Sequence, residues 1–241
     1  MSRGGVLDGE LPGRPDRLHE EAEILDRPGL APSVVERSLV ELARVNRWLL
    51  GHRPVRRTLL PRIVAGPPEQ RLLDVGTGSG DVAAGLARRA ARRGRRVAVV
   101  GVDRKLSHLV VGRRLGRRQL RVAADARALP FRDGAFDWSL STLFFHHFDA
   151  SANRAILAEM RRTACRGVVV VDLRASRWGR WLGGLLIPLL GVGAVTRHDG
   201  RVSLARAWRL PDVRRLTADL PVAEISKRHP FRFALVLDGR R

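Results

Sequence analysis

Three acids at the ends of apolar runs and one pair of adjacent histidines are the residues of this chain best suited to chemistry. The stretch LLDVGTGSGDVA, Leu72 to Ala83, sets Asp74 ahead of three alternate glycines, Gly76, Gly78 and Gly80. Glycines so spaced let a backbone turn through left-handed conformations and approach a ligand that a Cβ would repel. Asp103 closes the apolar run VAVVGVD, and Asp125 opens DARALPF after a third such run. Farther on, STLFFHHFD sets His146 and His147 among Phe144, Phe145 and Phe148. An imidazole takes up and returns protons near neutral pH, so either histidine is a candidate base or substrate contact for a phenol or enol. The plain alternative is that one histidine packs and the other caps the next helix. For each acid it is a helix cap or a turn.

The glycine loop by itself fits two cofactors. Gly78-Ser79-Gly80-Asp81-Val82-Ala83 satisfies the dinucleotide pattern G-x-G-x-x-[GA], with Asp103 downstream as the acid. Against that, Asp81 occupies the helix start that would receive a pyrophosphate, and Asp74 adds a second carboxylate before the glycines. A cationic ligand suits this charge pattern better.

Asp74-x-Gly76-x-Gly78-x-Gly80 resembles the first motif of class I S-adenosylmethionine-dependent methyltransferases. The likeness is strong over residues 70–173, extends through the last strands, and points to the small-molecule branch that includes quinone and polyketide enzymes. It implies a doubly wound, mostly parallel seven-stranded α/β sheet with an antiparallel last strand, a Rossmann-like fold under an N-terminal helical cap. It implies that Gly76, Gly78 and Gly80 admit the methionine and ribose portions of the cofactor. Asp74 would organise the loop and the ammonium end, and Asp103 would accept from the ribose hydroxyls. Asp125 would accept from the adenine amino group, while Ala126 offers a backbone N–H and Leu129 an apolar contact. Thr77, Arg104 and Leu143 complete the expected cofactor set.

These residues need a strand–helix alternation to position them. Strands are expected at Leu72–Val75, Val97–Val102, Gln119–Ala123, Phe136–Thr142 and Gly167–Leu173, with helices at Asp81–Arg93, Lys105–Leu115 and Ala152–Arg162. Runs such as VAVVGV and GVVVVDL are what a parallel sheet buried on both faces requires. Its ligand crevice lies at the carboxyl ends of the strands. A helix at Asp212–Leu220 precedes two strands, Val222–Lys227 and Phe231–Leu237. The link between them is too short for a parallel crossover, so they form an antiparallel hairpin. Ser33-x-x-Glu36 reads as a capping box, opening a helix that Gly51 stops and whose Asn46, Arg47 and Trp48 would cover the cofactor. A second helical piece around Arg56–Val64 is strained or ended by Pro61. The domain reading is therefore a flexible segment over residues 1–31, a helical cap over 32–66 and the cofactor-binding domain over 67–241. An apolar substrate-covering insertion falls at about 174–210.

Composition narrows the class. Of 241 residues 44% are hydrophobic, enough for a packed core, and the one cysteine, Cys165, fits a reducing cytoplasm. No signal-type apolar segment opens the chain, and Trp181–Val195 is too short and too rich in glycine to span a bilayer. The formal charge is +21, yet only Lys105 and Lys227 are lysines and the rest of the 45 basic residues are arginine. That pattern reads chiefly as genomic bias toward arginine, with a polyanion or acidic membrane surface as the alternative.

Within the resemblance, an Asn/Asp-Pro-Pro-Tyr/Phe motif is absent, two lysines cannot make a lysine-rich ribose-methylation site, and Cys165 lies away from a cytosine-C5 nucleophile. The expected function is methyl transfer to a small hydrophobic metabolite, phenolic, polyketide or quinone-like, with O-methylation favoured over C-methylation. Phe144, Phe145, Trp181 and His198 are the candidate substrate contacts, and no residue is assigned to a metal. His198 and Asp199 in TRHDG form a polar pair or a solvated turn. The rival readings are an RNA-directed enzyme using ARRAARRGRR and GRRLGRRQLR, and a cofactor-binding protein without turnover. The expected location is the cytoplasm. Acceptor identity and oligomeric state are not legible.

Overall fold

Period-two burial builds the sheet. The computed structural model describes residues 23–48, 51–117, 119–176, 191–229 and 231–239. Its strands are β1 (Glu69–Val75), β2 (Arg96–Asp103), β3 (Leu120–Ala123), β4 (Phe136–Thr142), β5 (Ala164–Leu173), β6 (Val222–Arg228) and β7 (Arg232–Asp238), in the order β3-β2-β1-β4-β5-β7-β6. The first five are parallel; β7 runs antiparallel to both β5 and β6. Along β5, Val168 and Val170 join one apolar layer while Val169 and Val171 join the other. Successive side chains of a strand point to opposite faces, so an unbroken valine run is what a doubly covered strand needs. The expected strands and hairpin are all present, and the antiparallel β7 leaves no second parallel mononucleotide half.

Helices cover both faces. One layer contains α6 (Ala150–Thr163), which buries Ile156, Leu157 and Met160, and α8 (Leu210–Leu216) with Val213. The other holds α2 (His52–Thr58), α3 (Leu60–Ala65) and α4 (Asp81–Ala91) through Val55, Ile63 and Leu86. A third patch packs Val35 and Leu39 of α1 (Pro32–Trp48) on Val111 of α5 (Leu106–Arg114). Gly112 admits α5 close to the glycine loop, since a Cβ there would lie 2.7 Å from the Ser79 carbonyl oxygen. Finally, α7 spans Ala194–Ala205.

Local signals resolve differently at three points. Helix α1 starts on Pro32, whose fixed φ suits a first turn, and the Ala31 carbonyl accepts from Val34 and Val35. Ser33 therefore lies inside the first turn rather than at the cap. Pro61 sits in the first turn of α3 and separates it from α2 instead of ending a helix. Thr196 to Gly200, read as a polar turn, is helical and lies within α7.

Candidate active site

Strand β1 delivers Asp74 to the turn that follows it. Gly76, Gly78 and Gly80 have φ of +71°, +52° and +75°. A Cβ on Gly76 would overlap the Phe144 ring, and one on Gly80 would overlap the Gln119 amide. At Gly78 nothing lies within 4 Å of that position, so the loop leaves open space there for a ligand. Asp74 is buried and accepts from Thr77 Oγ1 at 2.6 Å, while its Oδ1 has no partner among the described residues. Burial raises its pKa to about 7, aided by Asp81 and Asp103 and opposed by the Thr77 bond. A buried carboxyl with a free oxygen beside an open glycine cradle fits a ligand with an ammonium group, as S-adenosylmethionine has.

The other two expected acids are already engaged. Asp103 accepts from the backbone N–H groups of Gly78 at 3.0 Å and Lys105 at 2.9 Å, with His108 Nδ1 at 3.4 Å. Burial would raise its pKa, but His108 and these amides outweigh that and hold it low. Asp125 pairs with Arg127 at 2.7 Å, which lowers its pKa to about 2. Ala126 and Leu129 are buried against the core beside this turn, and Arg104 is exposed. Asp81, the acid that argued against a pyrophosphate, pairs with His52 at 2.9 Å.

A cavity of about 310 Å³ runs from the glycine loop to the histidines. Gly76 to Ser79 and Leu143 line one end. Leu39, Leu42, Val45 and Asn46 of α1 form a wall, so this helix covers the loop as expected. Of the expected cap residues Arg47 faces a different cavity, and the Trp48 side chain lies outside the described residues. The far end holds Glu23, His146, His147, Ser203, Leu204, Phe231 and Arg232. Leu143 at φ +52° and Phe231 at +46° are the non-glycine residues with positive φ among those described, and both line this cavity. A side chain held in that region costs of order 1–3 kcal/mol, and such strain concentrates where binding or catalysis requires it.

Asp172, at the end of β5, organises the histidine end. Its Oδ2 accepts from the backbone N–H groups of Phe144, Phe145 and His146 at 3.0, 2.7 and 3.3 Å. Its Oδ1 accepts from Leu173 N–H and lies 2.7 Å from His146 Nδ1. The turn at 145–147 is thus held by this carboxylate and, at the Phe145 carbonyl, by Asn153 Nδ2 at 2.9 Å and Trp208 Nε1 at 3.3 Å. Burial alone would lower the His146 pKa, but Asp172 and Glu23 reverse this and raise it to about 9. The two carboxylates thus favour the protonated form of His146. His147 is partly exposed; its Nδ1 lies 3.0 Å from Asp26 and its Nε2 is 3.9 Å from Glu23. Glu23 also faces His146 Nε2 at 3.6 Å and accepts from Ser203 Oγ at 2.6 Å. Burial would raise the Glu23 pKa, and the two histidines instead hold it low. The ligand-type atoms of Glu23, His146 and His147 lie within 4.8 Å of one another, close enough to meet a cation.

Glu23 and Asp26 belong to the segment expected to lack structure. They are held because Asp199 of α7 accepts from the Ile24 and Leu25 N–H groups at 2.7 and 3.0 Å, and because Lys105 Nζ pairs with Asp26 at 2.8 Å. Three of the residues expected to contact substrate lie off the cavity lining. Phe145 turns into the core with Ile156 and Met160 and does not line the cavity. The Phe144 ring lies against Gly76 and Phe148 rather than on the cavity wall. His198 sits on α7 outside the cavity lining, and the residue of TRHDG with the built role is Asp199. Trp181 lies outside the described residues. Sequence reasoning missed Glu23, Asp26, Asp172, Gln119 and Arg232. Of these Asp172 carried a signal, an acid closing a valine run in the same way as Asp103.

Comparison with known proteins follows the same division. Residues 72–167 match a family model described as a methyltransferase domain. With the strand order above, this assigns residues 72–167 to a methyltransferase domain. A demethylmenaquinone methyltransferase of Renibacterium salmoninarum is 32% identical over 172 residues, covering 70% of this chain and 64% of that protein. One from Thermotoga maritima is 26% identical over 170 residues, covering 70% and 63%. The chain thus spans slightly less than two thirds of the length of these relatives. Among solved structures, an S-adenosylmethionine-dependent methyltransferase from Aquifex aeolicus superposes with a TM-score of 0.59 at 16% identity, over 87% of this chain and 98% of that one. Magnesium protoporphyrin IX methyltransferase from Synechocystis PCC 6803, with SAH bound, gives 0.55 at 15% identity, over 79% and 84%. These two likenesses establish the fold. No helix among the described residues is long and apolar enough to cross a membrane.

Proposed function

We propose that this protein transfers a methyl group from S-adenosylmethionine to a small hydrophobic acceptor, phenolic, polyketide or quinone-like, at oxygen in preference to carbon. The observation that carries this reading is the single cavity joining the Gly76–Ser79 loop to His147 and Glu23 between leucine walls. When bound, the cofactor supplies an electrophilic methyl group. Asp74, Gly78 and Asp103 hold it, with Asp125 and Ala126 at the adenine end and Thr77 and Leu143 beside it. His147 receives the acceptor's proton at Nε2, because Asp26 holds Nδ1 and so sets which nitrogen faces the cavity. His146 positions the turn and does not take a proton. That the two relatives are demethylmenaquinone methyltransferases supports a quinone-like acceptor.

The test is transfer of radiolabelled methyl into a cell extract, separated into lipid-soluble and macromolecular fractions. Label in the lipid-soluble fraction is expected. Label only in RNA overturns the reading, and cofactor binding without any transfer favours a non-catalytic protein.

A further inference from the structure

Arg232 opens β7 opposite Leu173 at the end of β5, and lines the histidine end of the cavity. It is 7% exposed, and its guanidinium has no hydrogen bond or ion pair to any described residue; Nε is buried without a partner. Asp172 is near enough to act on it through space, but its two oxygens already serve five donors. A permanently charged fork held out of water calls for an anion, and a planar carboxylate matches its donors two at a time. We infer that the acceptor carries a carboxylate, which Arg232 pairs while the neighbouring hydroxyl is presented to His147.

Two other anions fit less well. A phosphate dianion would bring a second negative charge toward Glu23 and Asp172, whereas one carboxylate neutralises one guanidinium. The cofactor's own carboxylate belongs at the glycine loop after β1. Arg232 stands three strands away across β4 and β5, ~14 Å at the usual strand spacing. An acceptor that arrives already charged also pairs with Arg232 before any proton is removed, which fixes its orientation first.

The inference rests on the proposed small-molecule acceptor, and its test reads binding rather than turnover. Calorimetry with S-adenosylhomocysteine-loaded protein compares 2,4-dihydroxybenzoate with resorcinol, which differ by the carboxylate alone. The carboxylate is expected to bind roughly ten- to hundredfold more tightly, as a charge-assisted pair should. Arg232→Gln should erase that preference while leaving resorcinol and S-adenosylhomocysteine affinities unchanged, and Arg232→Lys should restore part of it. Equal binding of the two probes by the native protein overturns the inference, as does a preference that survives Arg232→Gln. Equal loss of both probes makes Arg232 structural, and weakened S-adenosylhomocysteine assigns it to the cofactor. Failure of label transfer in the extract, with the probe preference intact, would instead count against the methyltransferase reading alone.

Discussion

Two cavities flank the start of α4 and share Ala43, Asp81 and Val82, yet they use arginine in opposite ways. The larger, about 520 Å³, is lined by Arg44, Arg47, Arg53, Arg56, Arg88, Arg89 and Arg117, with Asp81 as its acid. Arg44, Arg47, Arg56 and Arg88 are exposed, and Arg53, Arg89 and Arg117 are half-buried, with Nε of Arg53 and of Arg117 enclosed without a partner among the described residues. Water and salt screen such charges, and long exposed side chains give up little by staying unpaired. The cavity over the glycine loop has one arginine, the buried Arg232, in a lining that also holds Glu23, Asp81, His146 and His147. The difference teaches that, in a chain written largely in arginine, the number of cations says little about function and the solvation of each says much.

Variants at the two cavities should separate them sharply. His147→Ala is expected to lower kcat by ~10²–10⁴, the usual range for a general base, with cofactor affinity unchanged. Stopped assays with saturating cofactor check it; full turnover would leave the histidine end without a base. Gly78→Val pushes a branched side chain into the open space of the loop from a positive φ and should weaken cofactor binding by roughly 100-fold, or ~2.7 kcal/mol. Calorimetric titration with S-adenosylhomocysteine reads it directly.

The pH dependence of stability gives a smaller and more diagnostic signal. Asp74 is an acid whose folded pKa is raised to about 7, so its contribution is fully present below pH ~4 and is lost as pH rises through about 7, by no more than ~4 kcal/mol. Thermal unfolding of cofactor-free protein should show that decline, Asp74→Asn should flatten it, and bound cofactor should reduce it. His146 is raised to about 9, so its stabilising contribution persists below pH ~6.5 and fades between there and about 9. The two windows barely overlap, so one melting series resolves both. The smallest effect belongs to the arginine-rich cavity. Arg56→Ala, Arg88→Ala and Arg89→Ala should each change stability by less than ~0.5 kcal/mol and leave methyl transfer unaltered. A large loss of transfer in any of them would give that cavity a role and break the contrast.

What could be read from the sequence follows the same line. The parallel strands were legible because a doubly buried strand must be apolar at every position, and the loop because three left-handed residues must be glycine. The expected cofactor residues fall between residues 72 and 143, where Asp74, Asp103 and Asp125 each stand at or near the end of one of three neighbouring strands, β1, β2 and β3. The acceptor half is assembled from far apart. Asp26 meets His147 across 121 positions and Asp199 holds Ile24 across 175, contacts that leave no periodicity or spacing to find. Phe145 and Phe144 were misplaced because a one-turn helix at 145–147, fixed by Asp172, decides which ring enters the core. Arg232 was hidden by its own commonness.

The tether on residues 23–26 has a practical consequence. Asp199 and Ser203 of α7 and Lys105 ahead of α5 hold this stretch by hydrogen bonds and an ion pair, and Leu25 is buried. Trimming the chain to its first long helix would leave the buried Asp199 carboxylate without the Ile24 and Leu25 donors and His146 without one of its carboxylate neighbours, so the protein should melt earlier. It would also lack Glu23 and Asp26, which flank His147.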